Sequence, residues 1–389
     1  MKFGTMDLDS SLYELIPITP IHIGSGNELL PYNYVIKNGV YYKIDITEIY
    51  ESLPEKEKET FEREIGKGII NFRSYLNRIY NEKLGYIYKG EVEESFNEVY
   101  CRKLNGAVRI NEENQLIIKE FIESFKGKYI PGSSIKGALR TAFLSEEGDD
   151  INYKLGRKKD SKTAPFVLLD DSGKFPITNK RQVADKAKEI EAKILKIRRL
   201  DPKADPFKNI SVGDTSVVED AVKVFSMERV SKNPEKNSMP MGNIEGVKSL
   251  LSCGKEISFT FRMSFKNYRE GTFKGKVRDI IKETNILQKN LFGYLNAKAR
   301  KILDDELVFF KENKNKESEK VCKEIEKILN KIMEESPEDE ALIRIGQGAG
   351  FNSSTFNLYN KGRNIKINDP KTKVVTDIYP MGWALIRKK

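Results

Sequence analysis

Residues 129–143 constrain the fold most, because they combine a turn, a helix start and an apolar stripe in one short run. Pro131 and Gly132 predict the turn. Ser133 or Ser134 is a favourable N-cap residue for the helix that follows. Four apolar residues then recur at helical spacing: Ile135, Ala138, Leu139 and Ala142. This pattern predicts an amphipathic helix packed on a core.

The polar side of this predicted helix carries two cations, Lys136 and Arg140. They are four residues apart and therefore project from the same side of its first turns. The free N–H groups and the helix dipole at that end favour an anion, so the pattern predicts a phosphate site. The spacing of a Walker P-loop is absent, and nucleotide hydrolysis is not indicated. The alternative is an ordinary capped helix with a solvated lysine and arginine.

The net charge favours a polyanionic partner. The 389 residues include 68 Lys and Arg against 58 Asp and Glu, a formal net charge of +10. Clustered cations release counterions when they bind phosphates, so nucleic acid is the first candidate. The alternative is a heat-adapted protein with a heavily charged surface, because Lys and Glu are abundant and the chain has one histidine.

Several chemistries find no support in the sequence. The cysteines, Cys101, Cys253 and Cys322, form no Cys-x-x-Cys pair, so buried thiols are expected rather than a disulfide framework or a zinc site. Acidic pairs at 149–150, 170–171 and 304–305 diverge rather than converge, so neither a metal-dependent nuclease nor a cofactor is predicted. Without an apolar leader or a long apolar run, a cytoplasmic protein that does not enter a membrane is expected.

Two glycine loops each follow a predicted strand, where bare backbone can approach a ligand closely. The second loop lacks the Gly-x-Gly-x-x-Gly spacing of dinucleotide-binding proteins. The first loop carries the only histidine, which no Ser, Cys or Asp at motif spacing turns into a triad member. The residues of interest are His22, Gly24, Ser25 and Gly26 in the first loop, and Arg344, Gly346, Gln347, Gly348 and Gly350 in the second.

Local patterns predict the remaining elements. Asn38 and Gly39 join two β-rich arms and indicate a type I′ hairpin over 34–44. Apolar periodicity predicts helices, and alternation or β-rich composition predicts strands. The predicted helices span 55–82, 181–200, 276–311 and 317–335, and the first of them has a weak point near Gly66 and Gly68. The predicted strands span 12–20, 257–265 and 374–386. Lys154 lies in the basic run 148–165, which predicts an exposed loop.

Three features follow one another in an order that a known family shares. They are a glycine loop after the first strand, the run Pro-Gly-Ser-Ser-Ile-Lys-Gly-Ala-Leu-Arg over 131–140, and a Gly-x-Gly-x-Gly loop near the C-terminal end. The sequence resembles the RAMP superfamily of CRISPR proteins. Within it, residues 19–26, 205–207, 341–351 and 380–383, together with Asp214, are similar to the fifth subunit of the type III-A (Csm) effector complex.

The resemblance implies an α+β fold: a ferredoxin-like (RRM-like) RAMP core with an antiparallel sheet and large helical insertions. Residues 1–265 would form this core, with the insertions near 51–100 and 150–205. Residues 266–389 would add a helical pair, a glycine-rich loop and closing strands. That last part either completes the core or forms a second subdomain.

The resemblance also implies a function without catalysis. Such a subunit binds CRISPR RNA, caps the filament at the 3′ end of that RNA, and supports its maturation and complex assembly in antiviral defence. The implied partners are CRISPR RNA, neighbouring RAMP backbone and small subunits, and host nucleases that trim the RNA. We expect both glycine loops and Ser133, Ser134, Lys136 and Arg140 to line one RNA groove, with Lys154 and Arg344 as additions. Two alternatives stay open: a metal-independent RAMP endoribonuclease with His22 as base, and a protein-only assembly factor.

Overall fold

The computed structural model describes residues 6–104, 116–148, 155–157, 166–169, 172–174, 179–268, 284–350 and 370–389. Within these residues the chain has a mixed α+β fold with two large sheets, one of five strands and one of nine. Both sheets are mainly antiparallel. The α+β class expected from the sequence is therefore confirmed.

The first sheet contains β1 (Met6–Pro17), β11 (Ile210–Val212), β14 (Phe259–Tyr268), β15 (Glu340–Arg344) and β18 (Trp383–Lys388). Their order is β11-β14-β1-β18-β15, and every neighbouring pair is antiparallel. β1 lies in the middle, and Pro17 is its last residue, because proline lacks the N–H group that would continue the ladder. The sheet thus brings the two ends of the described chain together.

The second sheet contains β2 (Gly24–Leu29), β3 (Tyr34–Lys37), β4 (Val40–Lys43), β5 (Tyr88–Val92), β6 (Ile118–Phe121), β12 (Val222–Ser231), β13 (Met239–Val247), β16 (Thr372–Thr376) and β17 (Tyr379–Pro380). Its order is β2-β6-β13-β12-β5-β4-β3, and β16 pairs with β12 and β17. Asn38 and Gly39 both have positive φ, 52° and 74°, so the predicted hairpin turn is confirmed.

Two further pairs of strands form small hairpins apart from these sheets. β7 (Glu123–Ser124) pairs with β8 (Gly127–Lys128), and β9 (Leu155–Arg157) pairs with β10 (Phe166–Leu168). The first of these hairpins precedes the helix predicted from residues 129–143. It therefore lies in the chain between β6 and that helix.

The helices are α1 (Ile46–Ser52), α2 (Glu55–Gly66), α3 (Ile69–Ile79), α4 (Glu94–Leu104), α5 (Gly132–Glu147), α6 (Lys180–Ile194), α7 (Leu250–Cys253), α8 (Leu291–Asn313) and α9 (Lys316–Glu335). The helix predicted over 55–82 is divided where expected, because Gly68 has φ 92° and precedes α3. α9 agrees with its prediction. α6 ends earlier than the predicted residue 200. Residues 276–283 of the predicted helix 276–311 lie outside the described residues.

One face of the first sheet is covered by α5 and the first turns of α8. Ile135 and Leu139 of α5 and Leu295 of α8 join Leu15 and Phe261 of the sheet in one buried cluster. Burial of each such side chain contributes about 1.5–3 kcal/mol. The rest of α8 and α9 pack with Trp383 in a second cluster. This packing fixes α5 so that part of its surface faces residues 345–350.

The three cysteines differ in burial. Cys322 is buried, but Cys101 and Cys253 are exposed, so the prediction that all three cysteines are buried is wrong. Both exposed thiols lie at helical residues whose neighbours do not cover them. Among the described helices, none is both long enough and apolar enough to cross a lipid bilayer.

Candidate functional site

A cavity of about 460 Å³ lies between α5 and the glycine loop that follows β15. Its lining is dominated by small residues: Ser134, Gly137, Ala138 and Thr141 from α5, and Arg344, Ile345, Gly346, Gly348, Ala349 and Gly350 from the loop. Two of the three segments predicted to share a groove therefore meet at one cavity. Its size lies within the range of ligand-binding clefts.

The start of α5 differs from the prediction. The N-cap residue is Pro131, and neither Ser133 nor Ser134 caps the helix. The carboxylate of Asp214 accepts the first free N–H, that of Gly132, at 2.8 Å. A Cβ atom on Gly132 would lie 2.3 Å from the carbonyl oxygen of Val212, so the close approach of this backbone requires glycine. The protein's own carboxylate thus occupies part of the position where a phosphate was expected.

Lys136 and Arg140 are both held by the protein itself. The ammonium group of Lys136 donates to the carbonyl oxygen of Ile210 at 2.7 Å, and burial lowers its pKa. The guanidinium group of Arg140 pairs with Glu191 at 2.5 Å and with Asp205 at 2.7 Å. Arg140 therefore links α5 to α6 through Glu191.

Arg344 is the cation that braces the second glycine loop. Its side chain is 2% exposed and forms an ion pair with the fully buried Glu306. It donates to the carbonyl oxygen of Met381 at 2.8 Å and to that of Gly348 at 3.4 Å. Although Arg344 borders the cavity, these contacts give its guanidinium group a structural role.

The two glycine loops touch each other through their backbones. The N–H of Gln347 donates to the carbonyl oxygen of His22 at 2.8 Å. Gly346 has φ 83°, and a Cβ atom there would lie 2.4 Å from the same oxygen. Only glycine fits such a position. The first loop is therefore joined to the loop that lines the cavity.

The His22 side chain is fully buried, which does not support it as a general base or as a side-chain contact to RNA. Its Nδ1 lies 2.6 Å from the carbonyl oxygen of Glu245. A carbonyl only accepts hydrogen bonds, so Nδ1 carries the proton and donates it. Its Nε2 is buried and has no hydrogen-bond partner among the described residues. Burial lowers the pKa of His22 to about 4.

His22 should make the stability depend on pH. Its pKa falls from 6.5 in the unfolded chain to about 4 in the fold. As pH falls, the unfolded chain therefore binds this proton before the folded chain does. The stabilisation that neutral His22 gives the fold is complete above pH 6.5 and is lost as pH falls towards 4. The loss amounts to about 3 kcal/mol in all. We expect the free energy of unfolding of the wild type to fall more steeply between pH 6.5 and 5 than that of His22→Gln in urea titrations. Parallel curves would contradict this assignment.

The rest of the first loop is exposed and polar. Gly24 and Gly26 lie at the surface, and the hydroxyl of Ser25 donates to the carboxylate of Glu120 at 2.9 Å. Burial opposes ionisation of Glu120, but hydrogen bonds from Lys43, Asn27 and Ser25 lower its pKa to about 2. The loop is thus anchored by its serine and presents its glycines outward. Lys154 lies outside the described residues.

Sequence reasoning missed five cavity-lining residues: Gly137, Ala138, Thr141, Ile345 and Ala349. The sequence contains a signal for Gly137, because a glycine within a helix lowers stability by about 0.5–1 kcal/mol relative to alanine. A Cβ atom at Gly137 would meet no other atom within 4 Å. Packing among the described residues therefore gives no reason for this glycine.

The sequence model of the RAMP superfamily matches residues 14–352, a span that includes both glycine loops and α5. The chain belongs to the RAMP superfamily. Among the described residues of this RAMP protein, no group of three or more His, Cys, Asp or Glu side chains is placed to hold a metal ion.

Two RAMP relatives share the name CRISPR system Cms protein Csm5. The protein from Methanocaldococcus jannaschii is 28% identical over 345 residues, which cover 87% of this chain and 71% of that protein. The protein from Streptococcus thermophilus is 30% identical over 206 residues, which cover 50% of this chain and 51% of that protein. The resemblance to the fifth Csm subunit seen in the motifs thus extends along the chain.

Two solved structures have a similar fold. The crystal structure of T. onnurineus Csm5 has a TM-score of 0.60 at 17% identity, covering 95% of this RAMP chain and 99% of that chain. A chain in the cryo-EM structure of a Csm-crRNA-target RNA ternary complex of a type III-A CRISPR-Cas system has a TM-score of 0.58 at 17% identity, covering 98% of this chain and 100% of that chain. At this identity the likeness concerns the fold.

Proposed function

We propose that this RAMP protein is a CRISPR RNA-binding subunit of a type III-A (Csm) complex. The observation that carries the proposal is the cavity at which α5 meets residues 345–350. Two of the segments that carry the family resemblance border it. The names of the relatives and the RNA-containing complex among the similar structures support the same assignment.

The lining suggests how RNA is held. Lys136, Arg140 and Arg344 each bond to other parts of the protein. The sugar–phosphate backbone is therefore contacted by main-chain groups of Gly346 and Gly348 and by hydroxyl groups such as that of Ser134. Such groups read no base edge, so binding is largely independent of sequence.

The position in the complex follows from the family resemblance. The protein caps the filament of RAMP backbone subunits at the 3′ end of the CRISPR RNA and contacts the neighbouring backbone and small subunits. It supports maturation by holding the RNA while host nucleases trim it. The net charge of +10 supports contact with a polyanion.

The first sheet is, in this proposal, a ferredoxin-like core. The elements β1, α5, β11, β14, α8 and β18 follow one another in the βαββαβ pattern. The order β11-β14-β1-β18, with the last strand beside the first, supports this interpretation. Because β15 and β18 lie in the sheet of β1, the proposal assigns residues 266–389 to completing the core of residues 1–265, with insertions near 51–100 and 150–205.

The protein holds RNA without cleaving it. The endoribonuclease alternative needs His22 to reach a ribose hydroxyl, and a base acts only within hydrogen-bond reach of the proton it removes. The complete burial of His22 and its low pKa favour the binding function.

One assay tests this proposal. Purified protein is titrated into fluorescein-labelled CRISPR RNA in EDTA, and both anisotropy and RNA length are measured for the wild type and His22→Ala. We expect binding without cleavage. Cleavage by the wild type that is lost in His22→Ala would establish the endoribonuclease instead. Neither binding nor cleavage would leave a protein-only assembly factor.

A further inference from the structure

Phe125 is the most exposed large hydrophobic residue in the part of the chain that the structure describes, at 95%. It occupies the two-residue turn between β7 and β8, beside Lys126. Single exposed apolar residues are common on protein surfaces, so exposure alone assigns no role.

The hairpin has a rigid base. Lys128 is 1% exposed and lies 2.7 Å from both Glu123 and the fully buried Glu245. Gly127 has φ 126°, and a Cβ atom there would lie 2.7 Å from the side chain of Val217. The aromatic ring therefore projects into solvent from a fixed support. Because the backbone is fixed, only the side-chain torsions of Phe125 need to be ordered when a ligand covers the ring.

The ring has a cation beside it. The ammonium group of Lys126 lies 5.4 Å from the centroid of the Phe125 ring. An aromatic face next to a positive charge suits a stacked nucleobase and its phosphate, the combination used by proteins that bind single strands. An apolar pocket of another protein would gain nothing from the charge. The net charge of the chain also favours a polyanion.

A chain of alternating charges connects the hairpin to the first glycine loop. Lys43 lies 2.5 Å from both Glu120 and Glu123, and Glu123 in turn contacts Lys128. The carboxylate of Glu120 accepts a hydrogen bond from the hydroxyl of Ser25. The carbonyl oxygen of Glu245 accepts a hydrogen bond from Nδ1 of His22. Since His22 contacts the second glycine loop, the hairpin and the cavity belong to one continuous structural unit.

We propose that the β7–β8 hairpin is a base-stacking site for single-stranded RNA outside the cavity. An unpaired base stacks on the ring of Phe125, and Lys126 neutralises the adjacent phosphate. The site rests on the proposed RNA-binding function and extends it to a nucleotide that the glycine loops do not hold. It contributes affinity without base identity, because every base has a stacking face.

The test uses the full-length chain with two probes of equal length and charge, a fluorescein-labelled oligouridine and its abasic counterpart. Phe125→Ala should weaken oligouridine binding about 5- to 100-fold and leave abasic binding almost unchanged. Phe125→Trp should restore oligouridine affinity, whereas Phe125→Leu, apolar but without an aromatic face, should not. All variants should unfold at the wild-type temperature, because the side chain is exposed.

The outcomes separate this site from the cavity. Equal oligouridine affinity for wild type and Phe125→Ala would overturn the stacking site and leave the proposed function intact. Wild-type affinity in Phe125→Leu would also overturn it. If Phe125→Ala bound RNA normally but failed to join a reconstituted Csm complex, the hairpin would be a protein contact instead. A wild type that bound neither probe would refute the RNA-binding function itself and this site with it.

Discussion

Replacing Glu306 by alanine is expected to lower the free energy of unfolding by about 3–5 kcal/mol, the usual cost of breaking a buried ion pair. Glu306 is fully buried and pairs with both Arg344 and Lys373. It also accepts a hydrogen bond from Nε1 of Trp383 at 2.9 Å. Its removal leaves two buried cations and an indole N–H without this acceptor. A typical folding free energy is about 5–15 kcal/mol, so a large part would be lost.

The matched control for this variant lies on the same helix. Glu312 is 51% exposed and pairs with Lys232 at 2.9 Å, so Glu312→Ala should cost at most about 1 kcal/mol. Urea titrations of the wild type and both variants measure the difference. Glu306→Gln keeps the shape and an acceptor for Trp383 but removes the charge, so an intermediate value is expected. Equal losses for Glu306→Ala and Glu312→Ala would contradict the role assigned to the buried cluster.

The cluster around Glu306 also holds one wall of the cavity in place. Arg344 reaches from Glu306 to the carbonyl oxygen of Gly348 and so ties the second glycine loop to α8. Loss of the glutamate removes the charge that holds the guanidinium group in place. The stability of the core and the shape of the cavity therefore depend on the same side chain.

The parts of the fold that were predicted well depend on neighbouring residues. The β3–β4 turn needs positive φ at Asn38 and Gly39, and few dipeptides other than Asn-Gly supply it. The break between α2 and α3 follows from Gly66 and Gly68, which weaken a helix locally. The limits of α9 follow from its apolar period. Each of these features lies within one short window of sequence.

The errors at the candidate site arise from partners that are distant in the sequence. Lys136 bonds to Ile210, 74 residues away, and Arg140 bonds to Glu191, 51 residues away. No local pattern shows that these cations are already paired within the fold. The position of the second glycine loop near α5 was expected only through the family resemblance, because the intervening insertions hide the topology.

Gly137 is the residue at which stability and RNA binding should separate. Glycine inside a helix is less stable than alanine by about 0.8–1 kcal/mol. Gly137 nevertheless stands in α5, exposed and lining the cavity, where a Cβ atom would meet no other atom within 4 Å. Among the described residues, none fills the space beside it. If RNA fills that space, the glycine is required by the ligand and not by the fold.

Gly137→Ala is accordingly expected to raise the free energy of unfolding by about 0.8–1 kcal/mol. Gly137→Phe should also fold but place a ring in the cavity and weaken RNA binding at least tenfold, about 1.4 kcal/mol. Gly66→Phe is the control, because Gly66 is likewise helical with open space around it but lies on α2, away from the cavity. Thermal unfolding and RNA anisotropy measure the two effects. A folded Gly137→Phe protein with wild-type affinity would show that RNA does not enter this cavity, since the ring and the RNA backbone cannot occupy the same space.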